Sequence, residues 1–259
     1  MKATIASLIF LLLSLAVSSQ TYKYIGIEEG LSNQKIYKIQ KDARGYMWFL
    51  THVGIDRYNG KEIKHYKLKE GDRELDPLLN INWTYLDKTG TLLVTGKQGR
   101  IFRYDSGHDR FVQIYSMYNY WNKDYHAFVR YSYIDQESNV WLCGKSAIHL
   151  FNIESGQKQR ISNRLGNITC IEQINSEHFF IGTDKRIYLV KLENGNLKEL
   201  SCGKLEMMDM HVHELYLHRT FFFFFFCTFE KGVYIYDLNS QKIVRPEVEL
   251  TDVYITRIS

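Results

Sequence analysis

Between Asp42 and Gly60 the chain reads DARGYMWFLTHVGIDRYNG, a polar turn, an apolar run, a break at Gly54 and a short alternating run. Turn, strand, turn, strand predicts a β-hairpin. A lone hairpin is marginal in water and needs neighbours to pack against. The chain supplies them by recurrence. DKTGTLLVTGKQGRIFRYD starts at Asp87, DQESNVWLCGKSAIHLFN at Asp135, NSEHFFIGTDKRIYLVKL at Asn175 and FFFFFFCTFEKGVYIYDL at Phe221. The closing positions Asn59, Asp105, Asn152, Lys191 and Asp237 are separated by 46, 47, 39 and 46 residues. That period fits four-stranded propeller blades better than helical hairpins of about 34 residues.

Each hairpin is flanked in the same way. An alternating strand precedes it: KIYKIQ, INWTYL, FVRYSYI and ITCIEQI in the first four units. A more polar strand follows: EIKHYKL, FVQIYSM, QKQRIS, NLKELS and KIVRPEV. Four antiparallel strands per unit without helical periodicity predict an all-β fold, a β-propeller of four-stranded blades. The expected blades cover about 30–68, 78–117, 125–162, 165–201 and 205–247, and 250–259 reads as the first strand of a sixth. The ring is expected to be incomplete. Trp48 and Trp141 fall at one repeat position, and repetition at fixed phase assigns them to packing between blades.

Composition sharpens this picture. Nineteen Tyr and fifteen Phe with only two Pro suit pleated surfaces. A net charge of +4 with no basic block excludes a concentrated nucleic-acid face. Lys2 followed by the apolar run 3–17 and small residues at Ala16, Ser18 and Ser19 reads as a secretory signal peptide over residues 1–20. The run is short of the about 20 residues of a membrane span, so the mature chain, 21–259, is expected in the periplasm, with an uncleaved membrane anchor as the alternative. Cys143, Cys170, Cys202 and Cys227 have neither metal-knuckle nor C-x-x-C spacing. Cys143 and Cys227 share a repeat position two units apart, too far for a bond that needs Cα atoms within about 7 Å.

The segment GLSNQKIYKIQKDARGYMWFLTHVGIDRYNGKEIKHYKL, residues 30–68, resembles the "two-component regulator propeller" repeat of bacterial hybrid two-component sensors. Gly30, Leu31, Ser32, Asp42, Gly45, Trp48, Gly54, Arg57, Tyr58 and Gly60 carry the resemblance. It implies a periplasmic sensor of a small molecule or oligosaccharide, often a glycan fragment, with a homodimer formed through the full-length sensor. In that family a membrane span, a kinase and a receiver follow in the same chain, and no motif of these is present here, so no phosphotransfer chemistry carries over.

The candidate ligand-binding residues are of two kinds. Tyr118, Tyr120 and Trp121 make up an aromatic-rich connection suited to stacking on a sugar ring, against a bland role covering a joint between blades. Asn33, Asn80, His126 and Asn167 each sit at or just before the first strand of a unit, where propeller mouths lie. Solvated loop residues are the plainer account of them. His211 and His213 share a strand face, but two histidines without a third ligand do not make a metal site. No nucleophile elbow, zincin motif or phosphate loop is present, so neither catalysis nor a cofactor is expected. The competing classes are a propeller enzyme of streptogramin-lyase type, which needs histidine and acidic groups converging on one mouth, and a plain interaction scaffold. Six consecutive phenylalanines, 221–226, read as a central strand buried on both faces and as an aggregation hazard if exposed.

Overall fold

A computed structural model describes residues 22–117, 128–202, 205, 208–220, 223–228, 232–240 and 242–244. The signal-peptide residues and the expected start of a sixth blade lie outside the described residues. Five four-stranded antiparallel sheets follow one another along the chain, each ordered as its strands occur in sequence. The first contains β1 (Ile36–Lys41), β2 (Met47–Thr51), β3 (Ile55–Tyr58) and β4 (Ile63–Tyr66). A two-residue ladder, β5 (Lys69–Glu70) with β6 (Arg73–Glu74), and the single-turn helix α1 (Pro77–Asn80) lead to the second sheet. That sheet holds β7 (Trp83–Leu86), β8 (Leu92–Thr95), β9 (Arg100–Asp105) and β10 (Arg110–Ser116). The third runs from β11 (Tyr131–Ile134) through β12 (Asn139–Cys143) and β13 (Ala147–Asn152) to β14 (Lys158–Ser162). The fourth holds β15 (Ile168–Gln173), β16 (His178–Thr183), β17 (Ile187–Glu193) and β18 (Asn196–Leu200). The fifth holds β19 (Val212–His218), β20 (Phe223–Thr228), β21 (Gly232–Asp237) and β22 (Lys242–Val244). The propeller expectation is borne out, and the described residues do not close the ring. The ladder β5–β6 is an addition that the repeat pattern does not show.

Each joint between successive sheets is one apolar cluster. Trp48, Leu50, Leu92 and Phe102 fill the first, and Leu93, Tyr115, Val140 and Phe151 the second. Trp141, Ile148, Phe179 and Val190 fill the third, and Phe180, Leu217, Phe224 and Phe226 the fourth. Rings stack across the sheets, Tyr115 on Phe151 at 4.7 Å and Phe180 on Phe224 at 4.2 Å. Neighbouring middle strands therefore bury both faces, which is why β8 and β12 read as apolar runs rather than alternations. Trp48 and Trp141 are completely buried, as the repeat phase requires. The sheets approach one another most closely along their first strands, such as β1 with β7, β11 with β15 and β15 with β19, so those strands face the axis.

The phenylalanine run departs from expectation. Phe224 and Phe226 are sealed in the fourth joint, whereas Phe223 on the opposite face is 37 % exposed. Among the described residues nothing packs as a sheet against that face, so only alternate rings are buried. All four cysteines are buried free thiols. Cys143 lies on β12 and Cys227 on β20, with the whole fourth sheet between them.

Candidate functional site

At one end of each sheet the first strand begins and the turn between the second and third strands closes. Antiparallel pairing forces the two together, since Ile36 pairs with Thr51, Tyr131 with Cys143 and Ile168 with Thr183. In the first sheet the His52 N–H donates to the Lys35 carbonyl at 3.2 Å. The Tyr37 hydroxyl is hydrogen-bonded to His52 Nδ1 at 2.6 Å. Lys35 Nζ lies 5.5 Å from the centre of the Tyr37 ring, which is 43 % exposed on the axial strand. The ring of Tyr37 is thus tied to His52 across the end of the sheet and stays partly exposed beside the Lys35 ammonium.

The same end of the other sheets is polar. Asn82 Oδ1 accepts from the Lys97 N–H at 3.2 Å. Arg130 Nη1 donates to Asn167 Oδ1 at 2.9 Å, joining the third sheet to the fourth, and Asn167 Nδ2 donates to Asp184 Oδ2 at 2.6 Å. The second oxygen of Asp184 is buried without a hydrogen-bond partner. Met210 N–H donates to the Lys185 carbonyl at 2.7 Å and brings the chain into the fifth sheet beside exposed His211.

Of the residues singled out in the sequence, Asn33 and Asn167 belong to this rim. Asn33 caps the approach to β1, its Oδ1 accepting from the Lys35 N–H at 2.8 Å. Asn80 does not offer its amide to the rim: it is 1 % exposed at the end of α1. Its Nδ2 donates to the Asp76 carbonyl and to Gln98 Oε1, and its Oδ1 accepts from Arg100. The helical turn carries Asn80 inward. Tyr118, Tyr120, Trp121 and His126 lie outside the described residues. His211 and His213 are exposed, and no group of three or more metal-ligating side chains comes together among the described residues.

Sequence phase missed Tyr37 and His52. The available signal was the alternation in KIYKIQ, which puts Tyr37 and Ile39 on one side of a strand facing the axis.

Two other polar clusters belong to the scaffold. The Arg57 guanidinium lies 4.6 Å from the Tyr46 ring and 5.4 Å from that of Tyr66, and pairs with Asp109 at 2.8 Å. Asp109 also accepts from the Tyr66 hydroxyl at 2.6 Å, the Tyr104 hydroxyl and Lys64. Burial works to raise its pKa, but these donors and the charge of Arg57 outweigh it and hold the carboxyl far below the usual range. This cluster ties the outer strands of the first two sheets together. An open cavity of about 520 Å³ lies beside it, lined by Tyr66, Lys69, Glu70, Arg110, Phe111 and Gln113. Its aromatic members pack into the first joint, and its carboxylate Glu70 is already paired with Arg73 and Arg100. Glu172, on the axial strand β15, is pushed up to about 7 by burial against the opposing charge of Arg219.

Comparison with known proteins agrees with this architecture. Residues 30–52 match the family model described as "Two component regulator propeller". That match covers β1, β2 and the segment leading into them. Among solved structures, the chain is similar to the extracellular domain of the hybrid two component system BT3049 from B. thetaiotaomicron, at 17 % identity and a TM-score of 0.64, covering 86 % of this chain and 31 % of that one. It is also similar to the extracellular domain of the hybrid two component system BT4673 from the same organism, at 16 % identity and a TM-score of 0.59, covering 87 % of this chain and 28 % of that one. The chain thus spans about a third of the length of these structures. No curated protein sequence matches it. No helix among the described residues is long and apolar enough to cross a membrane.

Proposed function

We propose that the chain is the ligand-sensing propeller of an extracytoplasmic sensor in a hybrid two-component signalling system, and that it recognises a carbohydrate at the axial rim. The observation that carries the sensor reading is the match of residues 30–52 to the regulator propeller repeat, supported by a fold shared with the extracellular domains of two hybrid two component systems. The carbohydrate reading rests on the rim. Tyr37 presents a partly exposed ring bonded to His52, with Asn33 just before the same strand, and Asn167 lies at the same end of the fourth sheet. A flat apolar face bordered by fixed donors and acceptors suits a pyranose, whose C–H face stacks while its hydroxyls hydrogen-bond.

A glycan-binding screen of the full chain tests the reading. Binding of at least one oligosaccharide is expected, with a loss of tenfold or more in Tyr37→Ala, since one stacked ring contributes on the order of 1.5 kcal/mol. If oligosaccharides bind and Tyr37→Ala leaves affinity unchanged, the rim is not the site. If none binds, the carbohydrate reading fails.

A further inference from the structure

The two ends of the sheets differ in charge. The axial rim collects Lys35, Lys97, Arg130, Lys145 and Lys185, all exposed. Lys97, Lys145 and Lys185 are in the turns between second and third strands, one per sheet in the second, third and fourth, while Lys35 and Arg130 precede first strands. Among the described residues none of these five enters an ion pair. Arg130 makes one hydrogen bond, to the neutral amide of Asn167. Two carboxylates share this end, Asp184, held through one oxygen by the Asn167 amide, and exposed Asp209 before the fifth sheet, so the five cations outnumber them.

The opposite end carries the other sign. Asp42, Asp87, Asp105, Asp135 and Asp237 close its turns by accepting backbone N–H groups. Glu137, Glu154, Glu177 and Glu193 stand beside them, and cations there are paired in part, as in Lys88–Glu154 at 3.2 Å and Lys191–Glu177 at 3.4 Å, while Lys41, Arg44 and Lys61 enter no ion pair among the described residues. The acids at that end have a backbone reason, because Asp is favoured where a carboxylate closes a turn. No such geometry calls for lysine at the tips of three equivalent turns. Recurrence of an unpaired cation there has a cost, since like charges around one mouth repel unless an anion sits among them.

We infer that the axial rim takes an acidic oligosaccharide, one bearing carboxylate or sulfate groups, rather than a neutral one. This deepens the carbohydrate reading and rests on it. Tyr37 would stack on one ring while Lys97, Arg130, Lys145 and Lys185 meet anionic groups on the residues beyond. Exposed lysines act as point charges that adapt to either anion, so the rim fixes charge and leaves the choice between uronate and sulfate to the contacts around Tyr37 and Asn167.

The test measures the affinity of the full chain for three hexasaccharides: cellohexaose as neutral, a hyaluronan hexamer as carboxylated and a chondroitin sulfate hexamer as sulfated. One acidic probe is expected to bind at least tenfold tighter than cellohexaose, and to weaken about tenfold between 50 and 300 mM NaCl as the rim is screened. The triple reversal Lys97→Glu, Lys145→Glu and Lys185→Glu is expected to abolish that binding, while Lys61→Glu with Lys88→Glu at the opposite end leaves it unchanged. Preference for cellohexaose with no salt dependence overturns the acidic inference and leaves the carbohydrate reading standing. Equal losses from reversals at both ends show a diffuse charge effect and also overturn it. Binding of none of the three and of no other glycan overturns both. The salt series uses the unmodified chain, so it decides the point even if the triple variant does not fold.

Discussion

The carboxylate of Asp42 accepts the indole N–H of Trp48 at 2.8 Å, and Asp135 does the same for Trp141 at 2.9 Å, each pair six residues apart. In both units the other carboxylate oxygen closes the turn. Asp42 Oδ1 accepts from the N–H groups of Arg44 and Tyr46, and Asp135 Oδ1 from that of Asn139. One side chain therefore shapes the turn and satisfies the most deeply buried donor of the next strand. In the second unit Leu93 replaces the tryptophan, and the freed oxygen of Asp87 pairs with Arg103 at 2.7 Å instead.

Asp42→Ala should accordingly cost about 3 kcal/mol in urea unfolding, because it leaves an indole N–H buried and unpaired and loosens a turn. Trp48→Phe keeps most of the ring and leaves the carboxylate its turn bonds, so about 1–2 kcal/mol is expected. The double mutant should fall short of the sum, giving a coupling of at least 0.5 kcal/mol. Additive losses would mean that the indole bond contributes nothing.

The repeat was legible because strands leave a period of two and turns leave Asp, Asn and Gly at fixed offsets. Burial of Trp48 and Trp141 followed from phase alone. The second duty of Asp42 did not, since turn geometry already accounts for an aspartate there, although the recurrence of Asp and Trp six apart held the clue. The candidate site was less legible for a related reason. Phase averaging shows what recurs, and it overlooks a single side chain such as Tyr37. Phase also selected Asn80, which the extra turn of α1 carries into the interior.

Gly96 should be among the least replaceable residues. A Cβ built there lies 2.3 Å from Asn80 Cα and 2.5 Å from the Leu79 carbonyl oxygen, both backbone atoms that cannot swing aside. Gly96→Ala must separate α1 from the turn after β8, at about 3 kcal/mol or more by the cost of overpacking. At Gly107 a Cβ meets only the Asp105 carboxylate, at 3.3 Å, so Gly107→Ala should cost under about 1 kcal/mol. Similar melting temperatures for the two variants would contradict the close approach.

Glu172 makes stability depend on pH in a direction opposite to that of most carboxylates. Burial lifts its native pKa to about 7, with Arg219 and the Leu217 N–H pulling the other way, and Tyr133 as the remaining titratable neighbour. An unfolded glutamate titrates near about 4.3. Between those values the native state holds a proton that the unfolded chain has lost, so stability is full below about pH 4.3 and falls as pH rises to about 7. The loss should be on the order of 2 kcal/mol after discounting for partial exposure. Glu172→Gln should flatten this slope and raise stability at pH 8. An unchanged pH profile in the variant would assign the slope to other groups.

The two faces of β20 predict opposite consequences for one substitution. Phe224 is wholly buried and stacked 4.2 Å from Phe180, so Phe224→Lys places a charge inside the fourth joint and should prevent folding. Phe223 is 37 % exposed, beside Tyr216 at 45 % on the strand that pairs with it, so among the described residues this face of the sheet leaves apolar surface uncovered. Phe223→Lys should leave the melting temperature within about 3 °C, since surface changes stay within about 0.5 kcal/mol. A charge on such a strand should also raise the concentration at which the protein begins to aggregate on light scattering. Loss of folding in Phe223→Lys would show that a further part of the chain covers this face.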